Sequence, residues 1–414
     1  MRNSQVHMTK LGTPWLWVPT LYLAEGIPYF IVTAVSVTLF AQLGVPNAEM
    51  ALFTSLITFP WVIKPLWSPF VDVLRTKRWW VLTMQVVMAV AIALIAIFAP
   101  QDYFTLALIL FTITAFASAT HDIAADGYYM LALSEKHQAA FVGIRATLYK
   151  RAGIFCQSVL LIIVGLLQRH TSIGAAWTYA LLLVSAIIAL IALWHLFSMD
   201  YREERNSAVP LSPRVVLFTF FRKPGIALAL AFFLLYRLPE ALLLKLCNPF
   251  FLASPADGGL GLTVDAIGLY YGGVGVALML LGGIVGGLLI SRYGLKRLII
   301  PMALALTLPC VVYVYFAACL PTNMWLIASA IGIEQFGYGL GYTACMMYMI
   351  RFAEGEYQTS HFSLCTAFMF LGLMLPGMAA GYLQEWLGYT AFFVLVMITC
   401  IPSLIVTYLV YRKL

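Results

Sequence analysis

Long apolar stretches separated by short polar connections constrain this sequence more than any other feature. A helix needs about 20 apolar residues to cross roughly 30 Å of hydrocarbon. Twelve stretches reach that length, at approximately 15–41, 49–70, 79–99, 103–130, 141–167, 174–197, 226–252, 264–290, 297–319, 323–350, 361–384 and 390–411. With 63% hydrophobic and 10% charged residues over 414 positions, the chain has too little polar surface for a water-soluble particle. We therefore predict an all-α, multi-pass membrane protein.

The longest interruption divides the stretches into two sets of six. Residues 198–224 separate the sixth stretch from the seventh and contain basic residues and prolines. These are Arg202, Arg205, Arg214, Arg222 and Lys223, with Pro210 and Pro213. We predict a cytoplasmic linker there, lying on the membrane surface between one six-helix bundle at 1–197 and a second at 225–414.

Basic residues are distributed unevenly between the two sides of the predicted membrane. Seventeen of the 24 Lys and Arg residues fall on the side that holds both termini, whereas the opposite loops contain only Arg169. Cytoplasmic loops carry an excess of Lys and Arg, so we expect both termini in the cytoplasm. The net charge of +7 then follows from topology and does not indicate nucleic-acid binding.

Four charged residues lie near the middle of their stretches, namely Glu25, Arg237, Glu240 and Glu334. An ionisable residue at that depth costs at least about 2.5 kcal/mol and is by default a functional residue facing the protein interior. Burial favours the protonated form of a carboxylic acid, so the three glutamates are candidate proton carriers. The guanidinium of Arg237 is a candidate anchor for a carboxylate or phosphate. A local ion pair between Arg237 and Glu240, three residues apart, is the structural alternative.

Polar and aromatic side chains near these charges are candidate substrate contacts. They are Tyr22, Tyr29, Tyr236, Lys245, Gln335, Tyr338 and Tyr342. Tyr338 and Tyr342 are four residues apart and share one helix face. Their rings suit stacking on a substrate, and they equally suit a packed core.

A second group of charges is predicted nearer the cytoplasmic side. Asp122 and Asp126 share a helix face, and the next stretch carries Arg145 and Arg151 at similar depth. These residues predict ion pairs that brace a cytoplasmic gate; the alternative is that Arg151 or Asp126 also contacts substrate. Further gate candidates are Lys64, Asp72 and Arg75, of which Lys64 is also placed to snorkel to the interface.

Two basic turns, one in each half, have similar sequences. The first contains Ser68, Asp72, Arg75, Lys77 and Arg78, and the second contains Gly287, Ser291, Arg292, Gly294, Lys296 and Arg297. Both resemble the loop signature of the major facilitator superfamily. The resemblance implies twelve transmembrane helices in two pseudo-symmetric six-helix bundles that rock around a central site. It also implies that the mid-membrane charges on spans one, seven and ten converge there.

Longer motifs give a closer resemblance. They are Lys64-x-Leu66-Trp67-Ser68-Pro69-x-x-Asp72, Ser118-Ala-x-x-Asp122-Ile-x-x-Asp126, Arg151-x-Gly153 and Glu334-x-Phe336-x-x-Gly339-x-Gly341. These motifs resemble the AmpG-type muropeptide permeases, which are grouped with acetyl-CoA transporters. The resemblance implies proton-driven import of anionic amino-sugar compounds, with or without peptide, across the inner membrane. Carboxylates of the lactyl group or stem peptide would then meet Arg237 and Lys245.

Other functions remain open at this level. The chain ends at Leu414, without the two further spans of some muropeptide permeases, which leaves a free amino sugar, a peptide or a CoA ester as substrate. An acetyl-CoA or other organic-anion carrier would use several cations, and an exporter of siderophore- or drug-like solutes is a third option. A membrane enzyme is disfavoured because the sequence has no HExxH, no paired His at cofactor spacing and no Ser nucleophile motif. We expect a monomer in the lipid, with no cofactor and no metal.

Overall fold

The computed structural model describes residues 14–101, 103–133, 135–199, 213–355 and 357–414. Across these ranges the chain is helical and contains no strand. The middle of the predicted linker, with Arg202 and Arg205, lies outside the described residues, as do Arg2 and Lys10.

The α-helices of the described residues follow one another with short connections. They are α1 (Val18–Phe30), α2 (Ser36–Gln42), α3 (Asn47–Leu56), α4 (Phe59–Val73), α5 (Lys77–Phe98), α6 (Phe104–Ala132), α7 (Glu135–Ile154), α8 (Leu160–Gln168), α9 (Ile173–Ser198), α10 (Pro213–Phe221), α11 (Ile226–Leu235), α12 (Leu238–Leu252), α13 (Val264–Ile267), α14 (Val276–Tyr293), α15 (Leu295–Thr307), α16 (Val311–Cys319), α17 (Met324–Ala353) and α18 (Gln358–Lys413). Single π-helical turns at Ile31–Val35, Phe155–Val159 and Gly268–Gly275 join some of these helices into longer rods.

Proline and glycine mark two functionally relevant breaks. The seventh predicted span is interrupted between α11 and α12, where Pro239 occupies the first turn of α12 and suits a helix start. The long helix α18 contains Gly388 at φ 72°, a left-handed conformation that glycine adopts without steric cost. Gly388 therefore separates two helical segments of α18, at the predicted boundary between the last two spans.

The observed helices agree with the predicted apolar stretches to within a few residues at most boundaries. Within the described residues, nine helical segments are long and apolar enough to cross a membrane. One of them, Ser360–Lys413, includes the kink at Gly388, and α17 with its buried Glu334 is not among the nine. The fold class is confirmed, whereas the count of twelve spans stays a prediction.

The helices form two compact packing units. The first comprises residues 14–32, 66–155 and 177–199 of the described chain. In this unit α1 packs on both α6 and α7, and α5 packs along α6. Its core contains the buried rings of Trp17, Tyr22 and Tyr128.

The second unit comprises residues 33–65, 156–176 and, within the described chain, 213–414. Here α14 and α15 pack on α17, and α18 packs on α3, α11 and α12. Its core contains Phe232, Phe233, Tyr236 and Tyr348. Segments from the first half of the sequence thus pack on helices of the second half inside this unit. The predicted bundles at 1–197 and 225–414 are a different partition and stay a prediction.

Glycines allow the closest helix contacts of the second unit. A Cβ atom on Gly282 would overlap the Phe336 carbonyl of α17, and one on Gly381 would overlap the Asn47 carbonyl of α3. In the same stretch of α14, a Cβ on Gly287 would meet nothing within 4 Å. The small-residue pattern of α14 therefore serves packing at Gly282 but not at Gly287.

Gly282→Ala should destabilise the protein, because the added methyl group forces α14 away from the α17 backbone. Overpacking of this kind lowers the free energy of unfolding by about 1–3 kcal/mol. Thermal unfolding of the detergent-solubilised protein should show a lower Tm. Gly287→Ala in the same helix is the control and should leave Tm unchanged or slightly raised, since Ala has the better helix propensity. Equal effects of the two variants would contradict the assignment.

Candidate functional site

An acidic cluster lies inside the first packing unit. One carboxylate oxygen from each of Glu25, Asp122 and Asp126 contributes to this cluster, and the three oxygens lie within 4.8 Å of one another. Arg145 approaches Asp126 with 2.8 Å between Nη2 and Oδ1. The Tyr22 hydroxyl donates a hydrogen bond of 3.0 Å to the same oxygen.

Helix packing explains why these groups meet. Glu25 lies on α1, and Asp122 and Asp126 lie one turn apart on α6. Gly26 lets α1 approach α7, because a Cβ there would lie 2.6 Å from the Ala152 Cβ. Adjacent α7 then supplies Arg145, whose guanidinium also stacks against aromatic rings.

Aromatic rings hold the Arg145 guanidinium in place. Its Cζ lies 4.6 Å from the ring centroid of Tyr22 and 5.2 Å from that of Tyr129. Cation–π contacts of this kind are favourable where water is scarce. The sequence predicted Glu25 as a mid-membrane proton carrier and Asp122, Asp126 and Arg145 as gate residues, whereas the structure brings all four into one cluster.

Carboxylate oxygens are the donors that hard cations prefer, and three of them converge in this cluster. The Arg145 guanidinium already partly neutralises Asp126. The arrangement therefore brings three acids and one guanidinium together on three helices of the first unit.

The other predicted residues of the first unit lie in varied surroundings. Tyr29 is half-buried, with its ring centroid 5.9 Å from that of Tyr149. Arg75 is exposed, 5.6 Å from the Trp79 centroid, and Arg151 is exposed on α7. The side chain of Asp72 lies outside the described residues. Roles of these residues in gating or binding stay predictions.

A second buried cluster centres on Arg237 in the second packing unit. Its guanidinium donates two hydrogen bonds to Glu240, one of them 2.6 Å from Nε to Oε2. Nη2 donates a further bond of 2.9 Å to the Tyr338 hydroxyl. The Cζ atom lies 5.0 Å from the Tyr342 centroid, and the Tyr338 and Tyr342 rings stack at 6.0 Å. Arg237 therefore occupies an aromatic-walled site with its charge already balanced.

The break between α11 and α12 produces this geometry. Arg237 is the N-cap residue of α12, and Glu240 lies in the first turn of that helix. A carboxylate is favoured near a helix N-terminus by the free N–H groups there. The short segment Arg237-Leu-Pro239-Glu240 thus builds the ion pair locally, inside an otherwise apolar span.

Glu334 and Gln335 form a further buried polar group on α17. Gln335 Nε2 donates a bond of 2.9 Å to Glu334 Oε2, and the Tyr313 hydroxyl donates one of 3.4 Å. Glu334 also interacts electrostatically with Glu240. These carboxylates therefore belong to one electrostatic system within the second unit.

Three more predicted residues of this unit lie in other surroundings. Tyr236 is fully buried in the core, and its hydroxyl donates a bond of 2.9 Å to the Gly341 carbonyl. That placement favours a packing role. Lys64 is half-buried on α4. Lys245 is buried on α12 and donates a bond of 3.2 Å to the Thr54 hydroxyl.

Sequence reasoning missed a polar contact between α3 and α18. Asn47 Nδ2 donates hydrogen bonds of 2.6 Å to Gln384 and 3.1 Å to the Tyr389 hydroxyl. Glu385 accepts a bond of 2.8 Å from the backbone N–H of Ala48. These residues line a pocket of about 340 Å³. The partners are more than 300 positions apart in the sequence. The polar side chains near Gly381 were therefore the only indication of this contact in the sequence.

Arg145→Met should destabilise the protein, because it leaves the acids of the cluster without their guanidinium. The loss should be about 1–3 kcal/mol in free energy of unfolding, as for a charged hydrogen bond. The double variant Arg145→Met, Asp126→Asn should recover part of the loss in Tm. Lys150→Met, an exposed change on the same helix, is the control. A double variant less stable than the single one would contradict the pairing.

Comparisons with known proteins agree with this architecture. A family model described as Major Facilitator Superfamily matches residues 241–413, and one described as BT1 family matches residues 25–141. The anhydromuropeptide permease of Escherichia coli is 24% identical over 398 residues, covering 93% of this chain and 77% of the relative. A Rickettsia typhi protein named as transporter AmpG 2 is 23% identical, covering 84% of each chain.

Solved structures show the same fold at lower sequence identity. The nucleoside transporter NupG has a TM-score of 0.72 at 15% identity, over 98% of this chain and 99% of that chain. The D-xylose-proton symporter has a TM-score of 0.71 at 10% identity, over 94% of this chain and 95% of that chain. These relatives are transporters, which points to transport and away from catalysis. The fold and the resemblance predicted from the motifs are confirmed: the chain is a multi-pass membrane transporter with the major facilitator superfamily fold, and its relatives include AmpG-type permeases.

Proposed function

We propose that this chain imports peptidoglycan-derived amino-sugar compounds, anhydro-muropeptides or related solutes, in symport with protons. The observation that carries the proposal is the similarity to an anhydromuropeptide permease over 93% of the chain. In this proposal the protein lies in the inner membrane with both termini in the cytoplasm. The excess of basic residues on the side of the termini supports that orientation.

The second cluster supports a substrate with a ring and polar substituents. Binding sites for small molecules combine aromatic walls with a few fixed polar groups. Tyr338 and Tyr342 supply stacked rings beside the Arg237–Glu240 pair. A sugar ring on these tyrosines, with its hydroxyl or N-acetyl groups bonded to the charged pair, matches this set of side chains.

The charge balance favours this substrate class over a CoA ester. A CoA ester brings several phosphate charges and needs several unpaired cations. Arg145 faces Asp126, and Arg237 holds Glu240. The cations that could serve the nucleotide are Lys64, Arg145, Arg151, Arg237 and Lys245, and two of these five are thus already matched by carboxylates of the protein.

Two acidic groups are suited to carry the proton. In the first unit, Glu25 is buried and lies within 4.8 Å of the carboxylates of Asp122 and Asp126. In the second unit, Glu334 is buried beside the neutral side chains of Tyr313 and Gln335. In this proposal Glu25 or Glu334 exchanges its proton only when the protein around it opens to water, as alternating access requires.

Uptake of labelled anhydro-muropeptide into proteoliposomes tests the proposal directly. The wild type should accumulate substrate under an imposed inward proton gradient. Glu25→Gln or Glu334→Gln should reduce that accumulation at least about 10-fold, because the proton-coupled step is lost. Exchange of internal for external substrate should persist in the same variant, since exchange requires no net proton movement.

Glu49→Gln is the matched control, because Glu49 is exposed at the start of α3. It should accumulate substrate as the wild type does. Undiminished gradient-driven accumulation in both Glu25→Gln and Glu334→Gln would overturn the assignment of the proton carrier. No uptake by folded wild-type protein would overturn the proposed substrate.

A further inference from the structure

Lys245 is a buried cation in the second packing unit with little compensation. Its side chain is only 7% exposed. Over the described residues, the Nζ atom has one hydrogen-bond partner, the Thr54 hydroxyl at 3.2 Å. That hydroxyl in turn donates its own hydrogen to the Met50 carbonyl at 2.7 Å.

Lys245 differs from Arg237 in having no carboxylate partner among the described residues. Arg237 holds an internal carboxylate through two hydrogen bonds. No described carboxylate lies within 4.0 Å of Lys245. A buried ammonium without a counter-ion is strongly unfavourable, and ionisable residues at such positions in membrane proteins are usually functional. An anion that visits the site would supply the missing partner.

Two neighbouring side chains carry unused hydrogen-bonding atoms. The Ser55 Oγ and Asn248 Oδ1 atoms are buried and have no partner within the described chain. Ser55 follows Thr54 on α3, and Asn248 lies one turn from Lys245 on α12, on the same face. The Asn248 amide nitrogen is occupied, since it donates a bond of 2.8 Å to Thr38.

Gly377 of α18 shows that Ser55 and Lys245 converge on one point. A Cβ atom built there would lie 2.7 Å from Ser55 Oγ and 3.4 Å from Lys245 Cε. The hydroxyl and the lysine stem therefore approach the same point from two helices, where α18 presents no side chain.

We propose that Lys245, Ser55 and Asn248 form a subsite for a carboxylate of the transported solute, an inference that rests on the proposed function. The Lys245 ammonium exchanges its Thr54 contact for the carboxylate, and the Ser55 hydroxyl donates a second hydrogen bond. Asn248 Oδ1 accepts from an N–H or O–H group beside the carboxylate. The ligand chemistry is thus an acid with a nearby donor, as in an N-acylated amino acid, or in an ether-linked lactate whose sugar supplies the N–H or O–H.

The test compares acids with their neutral amides as competitors of labelled anhydro-muropeptide uptake. The wild type should prefer the free acid about 10-fold, the size of one charge-assisted hydrogen bond. Lys245→Met should abolish that preference. Ser55→Ala should reduce it severalfold without destabilising the fold, because the lost hydroxyl has no partner. Lys413→Met, an exposed change, should keep the wild-type ratio.

The choice of competitor distinguishes two possible sources of the bound carboxylate, the lactyl group and the stem peptide. Anhydro-disaccharide with a free lactyl group offers one acid, and a muropeptide, whose lactyl group is amidated, offers only peptide carboxylates. The competitor that loses affinity in Lys245→Met identifies the source. An unchanged acid-to-amide ratio in both Lys245→Met and Ser55→Ala would overturn the subsite and leave the proposed function standing.

A second readout separates failure of the subsite from failure of the proposed function. Should the wild type transport no muropeptide, thermal stabilisation of the purified protein by N-acetylmuramic acid and by its methylamide is compared. A rise in Tm with the acid alone, lost in Ser55→Ala, would support a carboxylate subsite serving another solute. Equal responses to the acid and the methylamide would overturn it.

Discussion

The high cost of a bare charge in an apolar interior governs the arrangement of the polar residues in this protein. Each packing unit resolves it by pairing an arginine with an acid against aromatic rings. Arg145 meets Asp126 beside Tyr22, and Arg237 meets Glu240 beside Tyr338. The break between α11 and α12 places Arg237 beside Glu240, and the packing of α1 against α6 and α7 places Asp126 beside Tyr22 and Arg145.

Close approach of helices is the second requirement, and small residues provide it. Where Gly381 meets Asn47, segments from the two halves of the sequence pack backbone to backbone inside the second unit. The contact is completed by hydrogen bonds of Asn47 to Gln384 and Tyr389. In the proposed symporter, an alternating-access cycle would require contacts between the two halves of the sequence to separate and re-form. Hydrogen bonds to groups that water can also satisfy separate at a modest net cost, which suits a reversible contact.

The lengths of the apolar stretches and the positions of the residues that interrupt them were sufficient to predict most of the fold. The stretch 226–252 is a helix pair, interrupted where the sequence carries Arg237 and Pro239. The local Arg237–Glu240 pair was also foreseeable, since both residues lie within one turn. The meeting of Glu25 with Asp122 and Asp126 was not. It depends on the register between α1 and α6, which side-chain packing decides and residue depth along one helix does not.

The two buried cations of the second unit imply different ways of binding an anion. Arg237 holds Glu240, so a substrate carboxylate would have to compete with that internal acid. Lys245 has no described carboxylate within 4.0 Å, so an anion there would not have to displace one. In the proposed symporter, a substrate carboxylate would therefore meet an internal competitor at Arg237 and none among the described residues at Lys245.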